Sequence, residues 1–117
     1  MQYILLIYTN EAKDAEQTPE QQEASFGEWM AYTAALQEAG AYVAGDALQG
    51  VATATSVRVR EGEQMITDGP FAETKEQLGG YYVVDVANLD AAIEWAARCP
   101  GAKMGTMEVR PVMVFDT

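Results

Sequence analysis

The strongest constraint on the fold of this chain is its first strand, which is apolar on both faces. Residues 2–8 form a continuous aliphatic and aromatic run. Alternate residues of a strand point to opposite faces. The run therefore divides into two apolar sets, Tyr3, Leu5 and Ile7 on one face and Ile4, Leu6 and Tyr8 on the other. A strand of this kind is typical of a sheet that is covered on both faces.

Two segments carry the signals of helices. Thr18-Pro19-Glu20-Gln21 predicts a capped helix start, because Thr18 and Gln21 can form a capping box and Pro19 suits the first helical position. Gly40 is a suitable C-terminal stop. A stripe at helical spacing is assigned to the core: Phe26, Trp29, Met30, Thr33 and Leu36. The second helix is predicted to start at Asn88, run to about Cys99 and stop at Pro100-Gly101, with its buried stripe at Leu89, Ala92, Ile93 and Ala96.

The other strands are predicted from segments that are rich in β-branched residues or that alternate between apolar and polar residues. Residues 53–60 and 64–67 flank the turn Glu61-Gly62-Glu63 and predict a hairpin. Further strands are predicted at residues 41–45, 81–86 and 106–115, the last with Pro111 at an edge or a bulge. Residues 10–17 are expected to form a loop, and residues 72–78 a polar loop with one helical turn.

This order of elements predicts a single α+β domain over residues 1–117, a ferredoxin-like sandwich with an extra β-hairpin. Two helices can cover only one face of its sheet. The predicted last strand is again apolar on both faces, with Val109, Met113 and Phe115 opposite Val112 and Val114. Soluble monomers avoid large exposed apolar patches. We therefore predict a homodimer whose two sheets pack face to face.

The charge balance narrows the classes of function. Seven Lys and Arg stand against 18 Asp and Glu, which gives a net charge of −11. Such a field repels phosphate backbones and anionic lipids, so we expect no direct binding to nucleic acid or to a membrane. The chain has no His, the commonest metal ligand, and no phosphate-binding or dinucleotide motif, so neither a metal nor a cofactor is predicted. A lone cysteine, Cys99, fits a reducing cytoplasm and is expected to be a buried, inert thiol.

The segment after the hairpin is the most specific motif: Thr67-Asp68-Gly69-Pro70-Phe71-Ala72-Glu73-Thr74-Lys75-Glu76-Gln77-Leu78-Gly79-Gly80-Tyr81-Tyr82. It resembles the signature of the DGPF-containing, YCII-related family. Supporting segments lie at residues 3–8, 39–41, 54–60, 95–100 and 108–112, so the resemblance covers essentially the whole chain. It implies a dimeric ferredoxin-like α/β barrel. Some members resemble companions of extracytoplasmic-function sigma factors, and the name-giving branch is associated with a His–Asp pair, which this chain cannot form.

The loop in this motif is the candidate site. Asp68 can accept backbone N–H bonds in an Asx-turn, Gly69 tolerates a positive φ and Pro70 stiffens the turn. A carboxylate beside a partly desolvated lysine can act as an acid/base pair, which makes Asp68 and Lys75 the catalytic candidates, while catalysis itself stays open. The predicted ligand-binding residues are Asp68, Gly69, Pro70, Phe71, Glu73, Lys75 and Tyr82.

Three functions remain open from the sequence. The first is a protein that binds a small molecule in a cleft by this loop, at the dimer interface. The second is a regulatory or adaptor protein, linked to a sigma factor, whose negative charge suits a basic partner. The third is a structural dimer without a ligand.

Some isolated residues carry two interpretations each. Asp46 can line the same cleft or cap a loop. Three arginines can bind a carboxylate if they converge, or pair with nearby glutamates at the surface. They are Arg58, Arg60 and Arg110, with Glu61, Glu63 and Glu108 as the surface partners.

Overall fold

The doubly apolar first strand lies in the interior of a four-stranded antiparallel sheet. A computed structural model describes residues 1–116, and Thr117, the last residue of the predicted domain, lies outside them. The elements are β1 (Gln2–Thr9), α1 (Glu11–Asp14), α2 (Pro19–Glu38), β2 (Tyr42–Ala47), a 3-10 turn (Val51–Thr53), β3 (Thr55–Arg60), β4 (Glu63–Asp68), β5 (Gln77–Asp85), α3 (Leu89–Arg98), α4 (Pro100–Met104) and β6 (Thr106–Pro111).

The order of strands confirms the predicted α+β fold. The sheet runs β2-β5-β1-β6, and each neighbouring pair is antiparallel. The chain crosses from β1 to β2 through α2 and from β5 to β6 through α3, which is the ferredoxin-like arrangement. The sheet stays open in the described chain, and the barrel and the dimer remain predictions.

The helix caps form as the sequence predicts. The Thr18 hydroxyl oxygen accepts a bond from the Gln21 N–H at 3.1 Å, and the Gln21 side chain accepts one from the Thr18 N–H at 2.9 Å. These reciprocal bonds satisfy two donors that the first turn of α2 would otherwise leave unpaired. Asn88 caps α3 by accepting from the Ala91 N–H at 3.0 Å.

Four local predictions differ from the structure. The predicted loop at residues 10–17 contains α1, which Asn10 caps through the Lys13 N–H. Residues 72–78 contain no helical turn, because β5 already begins at Gln77. Pro100 starts α4 instead of only ending α3, since proline is favoured in a first helical turn. The last strand ends at Pro111, and residues 112–116 continue without regular structure.

The core lies between the helices and one face of the sheet. It comprises Tyr3, Leu5, Ile7, Tyr32, Leu36, Ala41, Val84, Ala92, Ala96 and Cys99. The predicted core stripe of α2 is wrong for Phe26 and Met30, which are 66% and 59% exposed. Instead Tyr32 is buried, and its hydroxyl donates to the Trp95 carbonyl oxygen at 2.7 Å. In α3, Ala92 and Ala96 are buried as predicted, whereas the predicted core residues Leu89 and Ile93 are both 48% exposed.

The opposite face of the sheet has no helix upon it. Ile4 pairs with Val83 and Leu6 with Tyr81, so these four side chains share that face. All four are partly exposed, and none belongs to the core. We call this surface, formed by Ile4, Leu6, Tyr8, Tyr81 and Val83, the open face.

The hairpin β3–β4 forms a separate two-stranded sheet. One of its faces is apolar, with Val57, Val59 and Ile66 exposed by 55%, 60% and 62%. The radius of gyration is 16.3 Å, whereas a compact domain of this length has about 13 Å. This difference fits a hairpin and a C-terminal segment that project from the body of the protein.

Candidate functional site

A bare patch on the helix-facing side of the sheet forms the floor of a cavity. Gly45 of β2 lies opposite Tyr82, and Gly80 of β5 lies opposite Ala47. A Cβ atom at residue 45 would be 2.7 Å from Tyr82 Cδ1, and one at residue 80 would be 2.8 Å from the Asp46 carbonyl oxygen. Neither position has room for a Cβ atom, because the Tyr82 ring packs on Gly45 and the β2 backbone packs on Gly80, so the floor at these two positions consists of backbone atoms alone.

The cavity above this floor has a volume of about 400 Å³. Aromatic rings form its walls: Phe26 and Trp29 from α2, Tyr42 from β2 and Tyr82 from β5. The other lining residues are Ile7, Thr9, Asp14, Thr33, Gly45, Asp46, Ala47, Gly79, Gly80, Tyr81 and Met104. Pockets of 300–1,000 Å³ with mostly apolar walls and a few polar groups are typical sites for small organic molecules.

Tyr82 is the centre of the aromatic cluster. Its ring centroid lies 6.5 Å from that of Trp29, with the two planes inclined by only 14°. Tyr42 approaches Tyr82 edge-on at 6.3 Å, and Tyr32 does so from the core side at 5.4 Å. These stacked and edge-to-face contacts are favourable for aromatic rings and hold the wall in one arrangement.

A short chain of hydrogen bonds fixes the hydroxyl of Tyr82. The Thr33 hydroxyl donates to the Trp29 carbonyl oxygen at 3.0 Å. Its oxygen lies 2.7 Å from the Tyr82 hydroxyl, which must therefore be the donor of that second bond, because Thr33 has a single proton to give. Burial raises the pKa of Tyr82 above its ordinary value, so the phenol remains a neutral donor at physiological pH.

The Asp46 side chain forms its hydrogen bond on the open face, the side of the sheet opposite the cavity. It lies opposite Tyr81, and the Tyr81 hydroxyl donates to its Oδ2 at 2.6 Å. This bond raises the pKa of Tyr81. The Asp46 carboxylate thereby forms its hydrogen bond on the open face, although the residue also lines the rim of the cavity. This cavity is not the cleft by the Asp68 loop in which one sequence interpretation placed Asp46.

The predicted site residues divide into two groups. Tyr82 lines the cavity, whereas the loop residues do not belong to its lining. The loop residues lie at or beyond the end of β4: Asp68, Gly69, Pro70, Phe71, Glu73 and Lys75. Gly69 has the expected positive φ, +99°, and its N–H donates to the Ala54 carbonyl oxygen at 2.6 Å.

The loop is exposed and its charged groups are separate. Within residues 1–116, the Asp68 carboxylate accepts no backbone N–H bond and no ion pair joins it to Lys75. Phe71 is 76% exposed, and the Arg58 guanidinium lies 4.8 Å from the centre of its ring. This side of the motif therefore presents free polar groups to solvent.

The far end of the same motif builds the cavity. Gly79, Gly80 and Tyr82 supply its floor and one wall, in a strand that is otherwise rich in β-branched and aromatic residues. Glycine inside such a strand is a known sign of close approach by another group. That signal, together with Gly45, was present in the sequence but was not used, and the sequence interpretation assigned Phe26 and Trp29 to the core.

The remaining candidates do not gather into a second site. Arg110 pairs with Glu108 at 2.7 Å, which confirms the surface pairing for that residue, while Arg58 and Arg60 lie on the separate hairpin. Cys99 is 1% exposed, and burial raises the pKa of its thiol to about 11, in agreement with an inert thiol.

The part of the chain that the structure describes holds neither a metal-binding cluster nor a membrane-spanning helix. Residues 1–116 hold no cluster of three or more His, Cys, Asp or Glu side chains suited to a metal ion. None of the helices in that range has the length and apolar character needed to cross a membrane.

The fold and the cavity define a ferredoxin-like α+β protein with an aromatic pocket at the β2 edge of its sheet. The family model for the YCII-related domain matches residues 1–116. The chain belongs to the YCII-related family. It is also similar to an uncharacterized protein of Rhizobium meliloti (strain 1021), with 35% identity over 117 residues, which covers 98% of this chain and 94% of that protein.

Proposed function

We propose that the protein binds a small, flat organic molecule in the cavity between α2, β2 and β5, and that it does so as a homodimer. The observation that carries the ligand proposal is the bare glycine floor beneath four aromatic side chains. A planar ring can rest directly on a backbone without Cβ atoms, and the aromatic walls can stack on it or contact its edge.

The exposure of the walls supports this proposal. Phe26 projects from α2 with 66% of its surface exposed, although a large aromatic side chain gains free energy from burial. Trp29 and Tyr82 are partly buried and keep free surface toward the cavity. A ligand would cover this apolar surface without any rearrangement of the fold.

Three apolar surfaces support the homodimer. The open face lacks a helix, the hairpin exposes Val57, Val59 and Ile66, and the segment after β6 exposes Met113, Val114 and Phe115 by 73%, 84% and 74%. Soluble monomers avoid large exposed apolar patches, so these three surfaces together favour a permanent partner. A second copy of the chain meets that need, and a two-fold axis would cover the same surfaces on both copies at once.

A regulatory or adaptor protein is the second candidate. The observation in its favour is the hairpin, whose exposed apolar face has the acidic Asp68 at one end and Glu61 in the turn at the other. Such a surface would suit a protein partner with an apolar centre and a basic rim. If the protein is monomeric in solution, this candidate replaces the homodimer.

Substitution of two exposed phenylalanines distinguishes between the two candidate ligand sites. Phe26 lines the cavity and Phe71 lies in the loop that the sequence favoured, so Phe26→Ala and Phe71→Ala each remove one exposed ring. We expect indole, titrated into isotopically labelled protein, to shift the amide signals of residues 79–82. Phe26→Ala should weaken binding at least threefold, while Phe71→Ala should leave it unchanged.

The reverse pattern would place the ligand at the loop with Asp68, Gly69, Pro70, Phe71, Glu73 and Lys75. Indole that shifts no signal in residues 79–82 of the wild-type protein would contradict the cavity as the site.

A further inference from the structure

We infer that the cavity selects aromatic molecules that carry a positive charge, with the Asp14 carboxylate as the counter-charge. This inference rests on the proposed function and names the chemical class of its ligand. It begins with the charged residues of the lining, which include Asp14 and Asp46 but neither lysine nor arginine in the part of the chain that the structure describes.

The two carboxylates are not equivalent. The Asp46 carboxylate already accepts the Tyr81 hydroxyl proton, on the opposite side of the sheet from Gly45 and Tyr82. Asp14 stands at the end of α1, partly buried, and its carboxylate has neither a hydrogen bond nor an ion pair with any residue in the range 1–116. A partly buried carboxylate without a partner is best satisfied by a cation.

The aromatic walls of the cavity also favour a positively charged ligand. The faces of Trp, Tyr and Phe rings are electron-rich and attract a cation that approaches the ring, with Trp the most effective of the three. Trp29, Tyr42 and Tyr82 together with Phe26 surround the cavity. The chain's net charge of −11 adds a long-range attraction for cations at low ionic strength.

An anionic ligand would find no donor of positive charge in this cavity. Gly80 of its floor does not supply one either, since β5 lies between β1 and β2 and Gly80 pairs with Ile7 on one side and Ala47 on the other. The backbone amides of an interior strand are engaged in the sheet, unlike the free amides of an anion-binding loop. The cavity is therefore unfavourable for ligands that carry a phosphate or a carboxylate group.

Three probes that share one ring test this selectivity. Tryptamine is cationic at pH 7, indole is neutral and indole-3-acetate is anionic, so differences in their affinity report on charge. We expect tryptamine to bind at least tenfold more tightly than indole-3-acetate in low salt, with indole between them, as measured by the amide shifts of residues 79–82.

A matched pair of variants assigns the effect to Asp14. Asp14→Asn removes the proposed counter-charge, and Glu94→Gln removes one charge from the exposed side of α3, outside the cavity. Asp14→Asn should reduce the ratio of the tryptamine and indole-3-acetate affinities several-fold, mainly through weaker binding of tryptamine. Glu94→Gln should leave the ratio as it is in the wild-type protein.

The outcomes separate this inference from the proposed function. Equal binding of all three probes would overturn the charge selectivity and leave the cavity as a ligand site. An equal effect of both variants would assign the preference to net charge and overturn the role of Asp14. If none of the three probes binds, the proposed function fails together with the inference.

Discussion

The Tyr82 ring lies so close to the backbone of Gly45 that a Cβ atom at residue 45 would be 2.7 Å from its Cδ1. This approach joins the edge strand β2 to the aromatic wall of the cavity. The same ring contacts Trp29 and Tyr42 and donates its hydroxyl proton to Thr33. Gly45 and Tyr82 therefore form one structural unit, and changes at either residue should affect both stability and the cavity.

Gly45→Ala tests this relationship. The added methyl group must displace the Tyr82 ring, and overpacking of this kind lowers the free energy of unfolding by about 1–3 kcal/mol. Gly27→Ala in α2 is the control, since a Cβ at residue 27 meets no atom within 4 Å. It should raise the free energy of unfolding by about 0.5–1 kcal/mol, because alanine is the better helix former. Urea denaturation measures both, and equal stability of the two variants would contradict the close packing of Gly45 on Tyr82.

Thr33→Val tests the hydroxyl chain at the wall of the cavity. The substitution keeps the shape of the side chain but leaves the partly buried Tyr82 hydroxyl without its acceptor. We expect a loss of about 1–3 kcal/mol in the free energy of unfolding. Tyr82→Phe removes the other partner, so the double variant should be less destabilised than the sum of the two single variants. Strict additivity in denaturant unfolding would show that the two hydroxyls do not interact.

In alkaline solution, the ionisation of Cys99 should be the first event that lowers the free energy of unfolding. Burial raises the pKa of this thiol from 9.0 to about 11, so the folded protein keeps the proton at a pH where the unfolded chain has lost it. The contribution is fully present below pH 9 and is lost as the pH rises toward 11. Cys99→Ala should show a shallower fall of the unfolding free energy between pH 9 and 11. An identical slope in the wild-type protein and the variant would contradict the buried, neutral thiol.

Leu6→Glu tests the homodimer. Leu6 lies on the open face opposite Tyr81 and Glu108, where a new carboxylate would be buried against the second copy and close to another negative charge. Size-exclusion chromatography with light scattering should give the wild-type protein about twice the 12.7 kDa of one chain and the variant the mass of one chain. Met30→Glu, on the exposed side of α2, should remain dimeric. A monomeric wild-type protein at micromolar concentration would contradict the interface.

The local signals in the sequence were sufficient for most of the fold. The apolar run of β1, the capping box at Thr18 and the Asn88 cap each act within a few residues, and the strand and both caps formed as predicted. The cover of the second face of β1 remains a prediction. The buried side of α2 was predicted wrongly at Phe26 and Met30, because small alanine and glycine residues lie between the large ones and blur the apolar stripe. The buried face is selected by tertiary packing, in which Tyr32 contacts the Tyr82 ring of the sheet and its hydroxyl donates to the Trp95 carbonyl oxygen of α3.

The site depends on contacts between distant parts of the chain. Neither Gly45 nor Gly80 alone indicates a cavity in the sequence, because the cavity forms only where β2 and β5 pair beneath α2. Tyr82 could be predicted, because strand alternation places it rather than Tyr81 on the helix-facing side. Asp14 could not be predicted as a site residue, because its short helix α1 lies in a segment that was predicted to be a loop.

A crystal structure of the protein grown with tryptamine tests the central claim most directly. We expect density for the ring above Gly45 and Gly80, bordered by Trp29 and Tyr82, with the amine directed to the Asp14 carboxylate. Density beside Asp68 and Lys75 instead, or an empty cavity at a saturating concentration of tryptamine, would contradict the account.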